Sequence, residues 1–292
     1  MQSLELSGDF SMRKLAVIFV LWLASTIPGF AADGTLEQRT AAAHQNDSPV
    51  PTATATTAPA QRVNSRPAIY MSVDGQPVTG WLSWPAGKPP AGMPALIVIH
   101  EWWGLNDNIR RTAERLAGEG YVTLAVDLYR GQSGESPKDA MRLMTQLNEQ
   151  SDAGRENLVA AYDYLVNIVQ AKRVGVIGWC LGGRWSLQAA LSLPKQLAAT
   201  VIYYGGVTDD KEQLATLEMP ILGLFAGDDP VVPPDTVVAF QKALAELGKD
   251  ADIHIYPDAK HAFANPSGEA YDAAAAEDAW ARTTRFLAAN LQ

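Results

Sequence analysis

Cysteine is nearly absent: the 292-residue chain carries only Cys180, so no disulfide can form within it. Histidine is scarce too, with four residues at positions 44, 100, 254 and 261. Nowhere along the chain do His and Cys cluster at metal-ligand spacing, so neither a metal nor an organic cofactor is expected. Basic residues are outnumbered, 23 Lys and Arg against 32 Asp and Glu, for a net charge of −9. A chain this acidic lacks the cationic face that displaces counterions from a phosphate backbone, which excludes nucleic acid as the expected partner. The apolar run Leu15–Leu23 is too short to cross a bilayer comfortably. Hydrophobic residues nevertheless make up 47% of the chain, enough for a substantial core.

The short apolar run belongs to a recognisable pattern. Met12-Arg13-Lys14 precedes it, and Pro28-Gly29-Phe30 then leads to Ala31-Ala32. Basic start, apolar centre and small-residue end are the parts of a secretory signal peptide. Residues 1–32 are therefore expected to direct export to the periplasm or beyond. Met12 is the expected true start, because Met1–Ser11 contain no basic residue. Cleavage would leave no stable membrane span, an uncleaved anchor being the alternative. Residues 33–66 are rich in Thr, Ala, Pro, Gln and Asn and offer little bulk to stabilise an ordered backbone. They read as a disordered linker, and His44 within it as uninvolved in chemistry.

The folded domain is expected over residues 67–292. Ala68–Trp84 alternates about Asp74-Gly75 and predicts an antiparallel hairpin. Ala95–Ile99, Tyr121–Val126, Arg173–Gly178, Ala199–Tyr203, Ile221–Phe225 and Ile253–Tyr256 read as buried strands. Helical stretches fall between them, at Asn106–Glu119, Ala140–Leu147, Gly154–Val169, Leu181–Leu191, Thr236–Leu247 and Tyr271–Leu291. Alternating β and α elements predict an α/β fold: a doubly wound, mostly parallel sheet with helices on both faces. Ligands in such sheets bind beyond the carboxyl ends of the strands.

Three groups pass that test. Gly178-Trp179-Cys180-Leu181-Gly182-Gly183 follows a strand and opens a helix, the Gly-x-nucleophile-x-Gly elbow with cysteine in the nucleophile's place. The Leu181 N–H at the helix start can donate to an oxyanion, and the helix dipole favours a thiolate. A phosphate site is the rival reading of such a turn, but no Lys-Ser/Thr pair follows the glycines. His261 comes after the last strand, where a general base would stand. Asp228 and Asp229 follow the strand before it, and either could orient that base. The chain order nucleophile, acid, histidine is that of α/β-hydrolases. His254, inside a strand, is expected to be a packed or edge residue.

These stretches, with His100-Glu101-Trp-Trp-Gly104-Leu-Asn106, Arg110, Asp127-Leu-Tyr129, Tyr203-Tyr-Gly205, Gly227-x-Asp229-x-x-Val232-Pro233 and His261-x-Phe263, resemble the dienelactone hydrolase family over Ala68–Gln292. The resemblance implies Cys180 as nucleophile, His261 as base and Asp229, rather than Asp228, as acid. It implies that Glu101 holds the resting thiol and accepts its proton when substrate arrives, its alternative being an ion pair with Arg110. Backbone N–H groups of Trp102 and Leu181 would form the oxyanion hole. Where the family's namesake sets an arginine after the histidine to hold a carboxylate, this chain has Asn265, with Arg142 or Arg184 as possible substitutes. Trp102, Trp103, Trp179 and Trp185 crowd the expected mouth, and Trp103, Trp179, Arg142 and Asn265 are the candidate substrate contacts.

The expectation is a hydrolase of small esters or lactones working through a cysteine acyl-enzyme, as a monomer with a small-molecule substrate. A broad carboxylesterase is the alternative, and a non-catalytic binding module or thiol sensor the remoter one.

Overall fold

The computed structural model describes residues 34–50 and 57–292. The expected signal segment, with its start at Met12, lies outside them. Among the described residues one sheet holds eight strands: β1 (Val63–Val73), β2 (Gln76–Pro85), β3 (Ala95–Ile99), β4 (Val122–Ala125), β5 (Val174–Trp179), β6 (Ala199–Tyr203), β7 (Ile221–Asp228) and β8 (Ala251–Lys260). Their spatial order is β1-β2-β4-β3-β5-β6-β7-β8. β1 and β2 form the expected antiparallel hairpin, with Asp74 and Gly75 both at positive φ (51° and 76°), as a tight two-residue turn requires. β2 also runs antiparallel to β4, and every pairing beyond is parallel.

The helices are α1 (Gly34–Ala43), α2 (Asp107–Gly118), α3 (Pro137–Glu149), α4 (Ser151–Asp163, extended by a π-helical turn at Tyr164–Ile168), α5 (Leu181–Ser192), α6 (Lys211–Ala215), α7 (Pro234–Glu246) and α8 (Ala273–Leu291). α2 and α8 bury Ile109, Ala113, Leu116, Ala279 and Leu287 with Leu96, Val98 and Val201 of the sheet. α3, α4, α5 and α7 bury Leu143, Leu158, Trp185 and Phe240 with Ile97, Val176 and Ile202. Successive residues of one strand thus enter opposite cores, as the pleat dictates. Every residue of β3, β4, β5 and β6 is buried, which is why those strands read as unbroken apolar runs.

The linker expectation needs correction. Residues 34–43 form α1, the chain stays ordered to Val50, and β1 starts at Val63 rather than at the predicted boundary. Polar anchoring to the domain supplies the order that the bland composition cannot. Asn106 Nδ2 donates to the Pro49 carbonyl (3.0 Å), and the Glu269 amide donates to Asp47 Oδ1 (3.2 Å).

β3 lies between β4 and β5, so the sheet grows in opposite directions from it. The loops leaving β3 and β5 therefore face each other across the crevice where α/β sheets place their ligands.

Candidate active site

Cys180 stands at the turn from β5 into α5 with φ +54° and ψ −116°, a backbone state that strains a non-glycine residue. Two hydrogen bonds hold it there. The Cys180 amide donates to the Tyr203 carbonyl (3.1 Å), and the Arg184 amide donates to the Cys180 carbonyl (3.2 Å). The flanking glycines are sterically required. A Cβ at Gly178 would stand 2.2 Å from the Gly182 carbonyl oxygen, and one at Gly182 would stand 2.4 Å from that of Ile99. Leu181 opens α5, so its amide has no acceptor one turn earlier in the helix.

His261 follows β8 and brings its ring to the sulfur. Its Nε2 lies 3.2 Å from Cys180 Sγ, and its Nδ1 lies 2.8 Å from Asp229 Oδ2. The other Asp229 oxygen accepts from the amides of Val231 (2.7 Å) and Val232 (2.8 Å). Asp229 is buried while Asp228 is exposed, which decides between the two. All three members of this relay are at most 5% exposed. Burial alone would disfavour a charged imidazole, but the Asp229 carboxylate and the sulfur outweigh it and raise His261 to about 10. Burial likewise raises the thiol, yet His261 and a second histidine bring Cys180 down to about 6.

The loop after β3 is fixed by His100. Burial lowers the pKa of this imidazole, keeping it neutral. Its Nε2 accepts from the Leu128 amide (3.2 Å), leaving Nδ1 to donate to the Glu101 carbonyl (2.6 Å). Tyr129 adds a bond from its hydroxyl to the Trp102 carbonyl (3.0 Å). Asp127 accepts from the Tyr129 amide (2.9 Å), so the Asp-Leu-Tyr stretch is a scaffold for the loop that carries Glu101 and Trp102.

Glu101 is buried, and burial together with the charge of Cys180 raises its carboxyl to about 8. Arg110 does not pair with it, bonding instead to Asp107 and lying over Trp81. Asn265 meets Glu101 directly: its Nδ2 donates to Glu101 Oε2 (2.7 Å), while its Oδ1 accepts from Ser267. Asn265 thus orients the glutamate while also lining the cleft. Arg142 is corrected, being exposed on α3 with its guanidinium donating to Gln146 Oε1. Arg184 reaches Asn148. Trp185 packs into the core against Gly154, not at the mouth. Trp102 and Trp103 pack against each other at 4.9 Å, both buried, and Trp179 packs against Tyr203. A cleft of about 710 Å³ reaches Glu101, Trp179, Tyr204 and Asn265. His254, as expected, is a packed residue, its ring edge-on to Tyr256.

The sequence reading missed His44 and Asp47. Both side chains are buried, with His44 Nδ1 2.5 Å from Asp47 Oδ2. The His44 ring packs against Trp102 (5.1 Å) and edge-on to His261 (5.3 Å). One ring nitrogen each from His44 and His261 and the Cys180 sulfur lie within 4.8 Å of one another, a cluster with no counterpart in the linear spacing. The only linear signal was a His-x-x-Asp step one turn long inside an otherwise bland stretch.

The dienelactone hydrolase family matches residues 80–291. A protein of Saccharolobus solfataricus, provisionally named carboxymethylenebutenolidase, is 33% identical over 259 residues, covering 75% of this chain and 96% of that protein. Protein usf of Aquifex pyrophilus is 35% identical over 226 residues, with the same coverage of 75% and 96%. Among solved structures, a dienelactone hydrolase-like promiscuous phosphotriesterase from metagenomic libraries superposes with TM-score 0.71 at 25% identity, covering 79% of this chain and 99% of its own. The strand order, the cysteine elbow with its His261–Asp229 relay, and a family match spanning most of the domain converge: this chain belongs to the dienelactone hydrolase family of α/β-hydrolases.

Proposed function

We propose that the protein hydrolyses a small ester or lactone, with Cys180 as nucleophile, His261 as general base and acid, and Asp229 orienting His261. The observation that carries this is the continuous relay of 2.8 Å from Asp229 to His261 and 3.2 Å from His261 to Sγ, ending on a strained elbow. The thiolate adds to the carbonyl carbon, forming the C–S bond while the carbonyl electrons move to oxygen. The N–H groups of Trp102 and Leu181 are the proposed donors to that oxyanion. Collapse breaks the C–O bond and the alkoxide takes a proton from His261. His261 then draws a proton from water, whose oxygen attacks the thioester carbon; the C–S bond breaks, releasing the acid and restoring the Cys180 thiolate.

Asn265 sets the preference among esters. With its amide bound to Glu101 and no guanidinium in its place, the subsite favours a neutral acyl group over a carboxylate-bearing one. This supports a broad carboxylesterase as the second reading. The test is a panel of p-nitrophenyl esters and lactones, dienelactone included, on wild type, Cys180→Ala and Cys180→Ser. We expect turnover in wild type alone and an acyl adduct on Cys180 by mass spectrometry; undiminished turnover in Cys180→Ala would sink the mechanism.

The reading includes export. The basic, apolar and small-residue segments within residues 12–32 support it. Sequencing the N-terminus of protein recovered from the exported fraction should find it just after Ala32; recovery only from the cytoplasm would refute export.

A further inference from the structure

His44 is a buried histidine beside the nucleophile that the Asp229–His261 relay does not use. Its environment repeats that relay in mirror form. Asp47 accepts at Nδ1, as Asp229 does for His261, which leaves His44 Nε2 as the free end of the ring. That nitrogen is buried and has no hydrogen-bond partner among the described residues. The Cys180 sulfur is the polar atom the cluster offers it, with a His44 ring nitrogen no more than 4.8 Å away. A buried N–H donor left without an acceptor is costly, and a sulfur anion at that distance offsets the cost by charge.

Glu101, which family resemblance makes the keeper of the resting thiol, is drawn elsewhere. One of its oxygens accepts from Asn265, and its burial favours the neutral acid. The family match begins at residue 80, so His44 and Asp47 come from a segment outside it. That segment is pinned over the site by Asn106 to Pro49 and by Glu269 to Asp47.

We propose that His44, oriented by Asp47, is a second imidazole at the Cys180 sulfur, holding it as a resting thiolate and serving as its counter-ion. The proposal rests on Cys180 being the nucleophile and assigns to His44 the thiol-holding task that resemblance gives to Glu101. The proton balance is simple. The S–H bond breaks, its electron pair stays on sulfur, and the proton forms the N–H bond on His44 Nε2. That proton stays on His44 through acylation; His261, raised to about 10 and so already protonated at rest, gives its Nε2 proton to the leaving alkoxide and regains one from the attacking water. His44 is a positioning residue in this scheme, acting through the sulfur rather than on substrate.

The other groups around the sulfur are compatible with an anion there. His261 follows β8 and is backed by Asp229 after β7; Glu101 follows β3, Tyr129 follows β4 and Tyr204 follows β6. Burial keeps both tyrosines phenolic, and Glu101, raised to about 8, adds no charge at neutral pH. Burial disfavours a charged His44, but Asp47 and the sulfur outweigh it and raise the ring to about 9.

Because Cys180 is the lone cysteine, the ultraviolet absorbance of the thiolate reports this one group, with Cys180→Ser as the blank. The experiment titrates that absorbance in the full exported chain for wild type, His44→Gln and Asp47→Asn, alongside kcat and KM for a p-nitrophenyl ester. Asp47→Asn keeps the imidazole and the Oδ1 acceptor for Glu269, so it tests the dyad even where His44→Gln fails to fold. The wild-type midpoint is expected near 6. His44→Gln should raise it by about one unit or more, with Asp47→Asn moving it less. Below neutral pH, kcat should fall about tenfold in His44→Gln while KM stays level. An unchanged midpoint in both variants would overturn the proposal, as would faster turnover with an unchanged midpoint, the mark of a plug. Cys180→Ala separates the two failures: if it retains turnover the nucleophile assignment has failed, and if it is dead while the midpoints stand still only His44 has.

Discussion

Asp229 commits one carboxylate oxygen to the amides of its own turn and the other to His261, so neither can rotate away without losing a buried bond. This fixes the imidazole with Nδ1–H toward Asp229 and Nε2 toward sulfur, the orientation from which Nε2 can give a proton to the leaving alkoxide and take one from water. Asn265 plays a comparable part for Glu101, and His100 for the backbone that carries it. Each active group is therefore held by a neighbour with one geometry to offer, and substrate selection falls to whatever remains unpaired. Glu101 Oε1 and the indole nitrogens of Trp102 and Trp103 are buried without a partner among the described residues. Such orphaned polar atoms are costly inside a core; of the three residues only Glu101 lines the cleft, where its protonated carboxyl can donate to an ester oxygen. The sign of the pH effect on activity follows from the sulfur. Its anion attacks, so turnover is lost as pH falls through the thiol's value near 6 and is retained above it.

At the scale of elements, the elbow shows how tightly β5, α5 and β3 are built around one turn. The Gly178→Ala substitution would press a methyl group to 2.2 Å from the Gly182 carbonyl oxygen, a backbone atom that cannot step aside. The cost should be about 2–4 kcal/mol, read from urea unfolding, with activity falling further than stability because the turn aims the thiol. A Gly178→Ala protein with the stability and activity of wild type would show that the turn has slack. This element was legible in sequence because glycines at fixed offsets from a nucleophile have few other uses. The buried strands were legible from their apolar runs, and α2 from its periodicity between Asn106 and Gly120. What could not be read was anything set by contacts distant along the chain. The docking of α1 and His44 depends on Asn106, Glu269 and Trp102, more than fifty residues away, while the local Thr, Ala and Pro composition points to disorder. Arg142 was misplaced for the same reason, and the bond from Asn265 to Glu101 went unread. Sequence shows that a polar side chain is near a strand end but not which partner has already claimed it.

For the molecule as a whole, burying so many titratable groups at one crevice ties folding stability to pH. Cys180, lowered, offsets only one of the two raised imidazoles, His261 and His44, so up to about 9 the other leaves the folded chain one proton richer than the unfolded one. Glu101 has no such counterweight. Its carboxyl is raised from 4.5 to about 8, chiefly by burial, so between those values the folded chain keeps a proton that the unfolded chain has released. Stability must then fall as pH rises through that window, because the unfolded state binds fewer protons there. The loss should approach a few kcal/mol, roughly, by the upper end. Glu101→Gln keeps the volume and the acceptor for Asn265 while removing the titration. Its Tm should therefore decline less than that of wild type between pH 5 and 8, and the two should cross, with the variant the more stable on the alkaline side. Calorimetric melts across that range check it. Parallel Tm profiles would mean that Glu101 ionises within the folded protein near its ordinary value, and the charge map of the crevice would have to be redrawn around an anion beside the sulfur.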